Sequence, residues 1–286
     1  MSCAVSDAPE PTPEVPAVYQ PYVPEPNVSA GPLLNRLSVA APFGWLRQGW
    51  QDLWRAPSVS LFFGVCFFVM GLAVLLVFKH APLYTLALCA GFLLLGPFLC
   101  LGVYQVSRRL ERGGIPTLDD AMGAWMPRIG QIAIFGAVLL VLEMLWGRAS
   151  LVVFAVSFQG MPDFAGSIQK LLDPQNLNFI VAYLAVGSLF AGLIFAFSVI
   201  AMPMLLDRDT DAVTAGLASF KLCLTQPLVM FVWGVLITSL IVLAMLPYFL
   251  GLLIVGPWLG HATWHAYREA LATDAAPEAV TTPAAL

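Results

Sequence analysis

Six long apolar runs, each too long and too unbroken to be a strand, constrain this chain more than any other feature. They lie at about 58–79, 83–106, 129–147, 178–205, 228–246 and 248–267. At 1.5 Å per residue each reaches across a hydrocarbon core of about 30 Å. Lipid offers no hydrogen bonds to bare backbone, so only helices or a closed barrel can cross it, and barrel strands are short and alternating. The expected fold is therefore an all-α integral membrane protein with six transmembrane helices. The composition agrees: 59% of residues are hydrophobic and 10% charged, with a mean hydropathy of +0.84, outside the range of soluble domains.

The expected organisation has three parts. Residues 1–32 hold Pro9, Pro11, Pro13, Pro16, Pro21, Pro24 and Pro26 among acidic and small residues, a composition that cannot bury enough surface to offset ordering entropy, and read as a disordered tail. They lack the basic start and apolar core of a signal peptide, which leaves targeting to the first span. Residues 33–271 form the membrane domain, and 272–286 a second disordered tail. The third span is the least sharply bounded, because apolar sequence resumes at 149–158 as either a helix extension or an interfacial segment. Only Pro247 separates the last two spans, which requires a tight hairpin.

Sidedness follows from the basic residues. Arg36, Arg47, Arg55, Arg108, Arg109, Arg112, Arg128, Arg208, Lys221 and Arg268 fall on one side of a six-span model, against Lys79, Arg148 and Lys170 on the other, a split of ten to three. This places both termini in the cytoplasm. A net charge of −4, with no single basic patch, gives no support for nucleic-acid binding.

The chain also repeats itself. Pro57 to Gly64 has the spacing of Pro227 to Gly234, and Gly96-Pro97-Phe98-Leu99 answers Gly256-Pro257-Trp258-Leu259. In the middle Gly136 aligns with the first pair of glycines, and Met202-Pro203-Met204-Leu205 stands in for the Gly-Pro element. The expectation is three pseudo-repeated helical hairpins, each preceded by a short cytoplasmic amphipathic helix. In the first of these helices Phe43, Leu46, Trp50 and Leu53 form the apolar face, with Arg47, Gln48, Gln51, Asp52 and Arg55 opposite. In the second, Thr117-Leu-Asp-Asp120 reads as a capping box, with Ala121, Met122, Trp125, Met126 and Ile129 on the apolar side. The third shows Val213, Leu217, Phe220 and Leu224. Such segments either form a collar at the inner headgroups or are lead-in turns of the spans.

Several residues are candidates for a functional polar site. His261 and His265 share a helix face as two metal ligands would, yet two ligands do not close a site, and His80 falls at the opposite membrane face. They read as structural, contacting the Gly-Pro region of the second span, since the repeat aligns Cys100 with Gly260 and Tyr104 with Trp264. Asp207, Asp209 and Asp211 have the alternate spacing of a calcium loop, but Ala212 and Ala218 stand where its Gly and bidentate Glu belong. Capping of the next helix by Asp209 or Thr210 is the simpler account. Glu143 lies well inside an apolar run; it either serves a proton or substrate, or is a protonated or paired carboxyl near the outer headgroups. Its nearest charge, Arg148, is five residues on and does not share its face. Gly256 and Gly260 form a small-xxx-small edge suited to close helix contact, self-association included. Pro97, Pro203 and Pro257 each free a carbonyl within a span, as kinks or as the broken helices of a transport site. The five cysteines show no C-x-x-C spacing and read as small apolar residues. No nucleophile elbow, phosphate loop or zinc-protease motif occurs, so the chain is expected to be non-enzymatic, with no catalytic residue, cofactor or metal.

Three stretches, Phe43-Gly-Trp-Leu-Arg-Gln-Gly-Trp-Gln-Asp-Leu-Trp-Arg-Ala-Pro57, Leu205-Leu-Asp-Arg-Asp209 with Asp211-Ala212, and Gly260-His-Ala-Thr-Trp-His-Ala-Tyr-Arg268, resemble the bacterial family of unknown function numbered 2189, over roughly residues 40–270. The resemblance implies an integral protein of the bacterial inner membrane and no established activity. Sequences of that family are at times labelled cytochrome oxidase subunit I; a haem-copper core needs about six histidine ligands, and this chain has 3 histidines. The roles left open are an assembly or accessory subunit of a membrane complex and a small-solute or proton-coupled transporter or channel-like bundle. The partners expected are the lipid bilayer and another membrane complex.

Overall fold

A computed structural model describes residues 34–80, 85–157 and 177–271. The Pro-rich tail, the stretch 159–176 expected as an outer loop with Lys170, the tail from 272 and Cys3 lie outside the described residues, as does the side chain of Cys89. The described chain is helical: α1 (Ala41–Arg55), α2 (Pro57–His80), α3 (Thr85–Glu111), α4 (Leu118–Gly123), a 3₁₀ turn (Met126–Arg128), α5 (Ile129–Ser157), α6 (Leu177–Ser198), α7 (Ala201–Asp207), α8 (Ala212–Thr225), α9 (Pro227–Met245) and α10 (Leu252–Ala270). Four stretches among the described residues are long and apolar enough to cross a membrane: Pro57–His80, Leu118–Ser157, Leu177–Asp207 and Pro227–Met245. The helix α10 is held differently. It packs against α1, α2, α3, α7 and α9, so its polar residues meet protein on most sides.

The residue before a proline is pushed out of the α region, and proline itself is well suited to the first helical position. That rule shapes two corners of the bundle. Ala56, ahead of Pro57, has φ −134 and ψ 57; Gln226, ahead of Pro227, has φ −132 and ψ 55. Around these corners buried positions recur 170 residues apart: Trp45 with Ala215, Gly49 with Ser219, Asp52 with Leu222, Val59 with Val229, Ser60 with Met230, and Phe63 with Trp233.

Several expectations change. The stretch at 149–158 is a continuous extension of α5 to Ser157. The span expected at 178–205 is broken between Ser198 and Ala201, and the cause is Ser219 of α8. Its hydroxyl donates to the Ala196 carbonyl at 2.7 Å and accepts from the Ile200 amide at 3.3 Å, replacing helix hydrogen bonds in the way that opens a helical ladder. Pro203 therefore sits in the first turn of α7, where its missing N–H costs nothing, rather than in the middle of an unbroken helix. Pro97 and Pro257 do lie inside helices. The last two long helices are joined by a turn with Tyr248 at φ 51 and Phe249 at φ 65, and α10 begins at Leu252 instead of 248. On α1 the inward face is Pro42, Trp45, Gly49, Asp52 and Leu53, so Asp52 leaves the polar side assigned to it, while Phe43, Trp50 and Trp54 are exposed.

Close approach between helices rests on glycine. A Cβ at Gly49 would lie 2.5 Å from the Ala262 amide nitrogen, one at Gly64 would meet the Leu253 carbonyl oxygen, and one at Gly260 would lie 2.8 Å from Val103. Gly256 faces Phe67, so the small-residue edge of α10 is occupied by α2 and α3 of this chain.

Gly64→Leu should lower the stability of the detergent-solubilised protein by about 1–3 kcal/mol or prevent folding, because backbone stands in the way. Gly96→Ala, at a position with nothing within 4 Å, should melt at or slightly above the wild-type temperature. Thermal unfolding of the two variants side by side checks this.

Candidate functional site

Trp45, Gly49 and Asp52 recur on one face of α1, and this face lies on α10. Four helices meet there through one chain of hydrogen bonds. Ser60 on α2 lies 2.9 Å from His261 Nε2, and Ser107 on α3 lies 2.7 Å from His261 Nδ1. The Ser107 hydroxyl donates to Asp52 Oδ2 at 2.8 Å. His265 Nε2 reaches the same oxygen, also at 2.8 Å. Ser60, Ser107, Asp52 and His261 are all buried, and the His265 side chain is 18% exposed.

The donors set the direction of the chain. Ser107 has one proton and directs it at Asp52, so it accepts from His261 Nδ1–H, which leaves Nε2 to accept from the Ser60 hydroxyl. Every donor thus points toward the Asp52 carboxylate. Burial pushes that carboxyl up, but the hydrogen bond and charge of His265 and the hydrogen bond from Ser107 outweigh it, and its pKa is held below the ordinary value of 3.8. The order hydroxyl–imidazole–acceptor has the connectivity of an activated nucleophile. Ser60, however, is 0% exposed, so its hydroxyl has no room for a substrate and its role is to satisfy His261.

A second cluster forms at the same end of the bundle. Asp207 Oδ1 pairs with Arg108 Nε at 2.9 Å and Arg112 at 3.4 Å, while Oδ2 accepts from the Tyr267 hydroxyl at 2.9 Å and lies 3.6 Å from Arg268. Arg268 also pairs with Glu111 at 2.9 Å, and Glu111 accepts from the Trp264 indole at 3.1 Å. Trp45 donates to Glu269 at 2.7 Å. The end of α10 is closed by Asn35, whose amide nitrogen donates to Ala270 O and whose side chain donates to Glu269 O, both at 2.9 Å, which satisfies carbonyls a helix end otherwise leaves open.

Of the residues singled out from sequence, His261 and His265 are brought together, but with Ser60, Ser107 and Asp52 rather than with the Gly-Pro region of α3, and they are joined through Asp52 rather than directed at separate neighbours. Asp207 belongs to the arginine cluster. Asp209 is 99% exposed beside Arg128, a pair worth little. The helix cap is Asp211, not Asp209 or Thr210: it accepts from the amides of Val213 and Thr214, both at 2.9 Å. The Thr214 hydroxyl and these amides hold its carboxyl below the usual range. Thr117 does cap α4, accepting from the Asp120 amide at 3.2 Å. Glu143 stands apart from both clusters, on the inward face of α5. Sequence reasoning missed Asp52, Ser60 and Ser107. The spacing of Trp45, Gly49 and Asp52 was the available signal for the first; nothing in the composition marks the two serines.

The long apolar helices, with their polar groups gathered at one end, define a multi-pass integral membrane protein. Residues 84–207 match the family described as predicted integral membrane protein (DUF2189), the family that the motifs resemble. The match runs from the start of α3 to the end of α7, narrower than the resemblance, and leaves α1, α2, α8, α9 and α10 outside it. No curated protein and no solved structure matches the chain.

Replacing Asp52 by Ala should destabilise the protein by about 2–4 kcal/mol, since one buried and one part-buried donor lose an ionised acceptor. Because the folded-state pKa of Asp52 is depressed, its contribution is fully present above the ordinary value of 3.8 and disappears as pH falls through the folded-state value. Melting curves of wild type and Asp52→Asn should therefore differ at neutral pH and converge in acid.

Proposed function

We propose that this chain is a six-span protein of a bacterial inner membrane, built from three pseudo-repeated hairpins with both termini in the cytoplasm, and that it serves as a non-enzymatic assembly or accessory subunit of a larger membrane complex. At 27 and 19 residues, α3 and α10 are long enough to join the four apolar stretches as spans. The matching corners at Ala56 and Gln226 support the repeat. The gathering of Arg108, Arg112, Arg128, Arg208 and Arg268 around Asp207, Asp209 and Tyr267 supports a common, cytoplasmic end.

The observation that carries the subunit reading is the mutual pairing of buried polar groups at that end. The Asp52 chain and the Asp207 cluster tie α1, α2, α3, α7 and α10 to one another, an arrangement that holds helices in fixed positions rather than lining a route between them. The exposed stripes Phe43, Trp50, Trp54 on α1 and Val213, Leu217, Leu224 on α8 suit an inner headgroup level. The second reading, a small-solute or proton-coupled transporter, is favoured by Glu143 and by the prolines inside α3 and α10.

Two measurements test this. An impermeant thiol reagent applied to intact cells should leave a cysteine placed between Arg108 and Arg112 unmodified in a chain whose native cysteines have been removed; modification there overturns the orientation. Gentle solubilisation should recover the chain in a species much larger than itself, with other membrane proteins in fixed ratio. Recovery of the chain alone, together with solute movement in liposomes that Glu143→Gln abolishes, would replace the subunit reading with the transport reading.

A further inference from the structure

Two buried polar atoms of α5 escape the pairing seen elsewhere. Glu143 Oε1 and Ser150 Oγ have no hydrogen-bond partner among the described residues. Glu143 is 7% exposed and continues the inward stripe of Ile132, Phe135, Gly136 and Leu139. Ser150 follows two turns later, on nearly the same face. The extension of α5 to Ser157 changes where this carboxyl lies. Glu143 is the central residue of a 29-residue helix, about 21 Å from either end, and so lies far from both helix ends.

Among the described residues, no neighbouring helix supplies a counter-charge at that level. α6, which packs on α5, contains no Asp, Glu, Lys, Arg or His. On α3 the first charged residue is Arg108, held by Asp207 at the far end, and on α8 the charge is the exposed Lys221. The short α7 contributes only Asp207. On α5 itself Arg148 is exposed and points about 140° away. An unpaired buried carboxyl oxygen is costly in such a setting. At 7% exposure, Glu143 offers little access to a basic residue of another chain. A small ion can relieve that cost.

We propose that Glu143, with Ser150 beyond it on the same face, forms a binding site for a monovalent cation, a proton or sodium, on the buried face of α5 within the helical bundle. The site does not depend on the subunit reading: a subunit could carry it as a sensor, while a transporter would need it together with a path.

A hydrophobic carbodiimide tests the site on the purified full chain. The reagent adds the O–H of a protonated carboxyl across its C=N bond, and the acyl group then migrates to nitrogen, leaving a stable N-acylurea of the summed mass with nothing released. Bound sodium removes that proton and blocks the reaction. The peptide containing Glu143 should be modified in wild type and unmodified in Glu143→Gln. The extent should fall by about tenfold as pH is raised from about 6 to about 9 if the ligand is a proton, or on replacing potassium by sodium at fixed pH if it is sodium. Should the reagent fail to reach the site, the melting temperature of wild type, and not of Glu143→Gln, should still change with pH over that range or with sodium. Modification that is indifferent to pH and to sodium overturns the proposal. So does the absence of modification when wild type and Glu143→Gln melt with the same pH and sodium dependence.

Discussion

One ionised carboxylate, Asp52, organises the polar end of this bundle. It accepts from Ser107 and His265 through a single oxygen, and through Ser107 it orients His261, which in turn engages Ser60. Four helices are thereby referred to one atom. In an interior with little water, a half-satisfied network would be worse than an apolar core, so each member constrains the rotamer and protonation of the next. The amphipathic helix α1 is consequently part of the core rather than a float at the surface.

That network can form only because backbones come close. Gly49 lets α1 reach the Ala262 backbone, Gly64 lets α2 reach Leu253, and Gly260 admits Val103. Among apolar helices in lipid, packing and hydrogen bonds rather than the hydrophobic effect drive association, and small residues bring the polar partners within range. The glycines and the Asp52 chain are thus two halves of one device: side chains at 2.7–2.9 Å need helices that touch.

Repetition without identity follows from the same logic. At offset 170 the buried positions of α1 and α2 recur in α8 and α9, yet Asp52 is answered by Leu222 and Ser60 by Met230. The polar chain belongs to one copy, and the other is apolar at those places. Gly49 is answered by Ser219, whose hydroxyl opens the helix between α6 and α7. The stretch of α5 from Glu143 to Ser150 is the opposite case: two buried polar atoms have no hydrogen-bond partner there among the described residues, which is where an added cation has something to do.

That the chain is all-helical, and roughly where its long apolar helices lie, was legible in the sequence, because a helix able to cross a bilayer needs about 20 apolar residues. The corners before Pro57 and Pro227 were legible too, since proline restricts its predecessor wherever it occurs. The pairings were not. Ser60 and Ser107 are ordinary residues in apolar or mixed stretches, and Ser60 is 201 positions from His261, so no local pattern connects them. Asp52 was misplaced on the polar side because one helix in isolation shows only an apolar and a polar side, whereas in the bundle α1 turns Asp52 inward and leaves Phe43, Trp50 and Trp54 exposed. The break at Ser198 depends on a hydroxyl from another helix, and the depth of Glu143 depends on how far α5 continues past Gly147. Local chemistry determined which segments are helices; which polar group meets which was decided only when the helices packed, because hydrogen bonds across a bundle are set by proximity in space and leave no period in the chain.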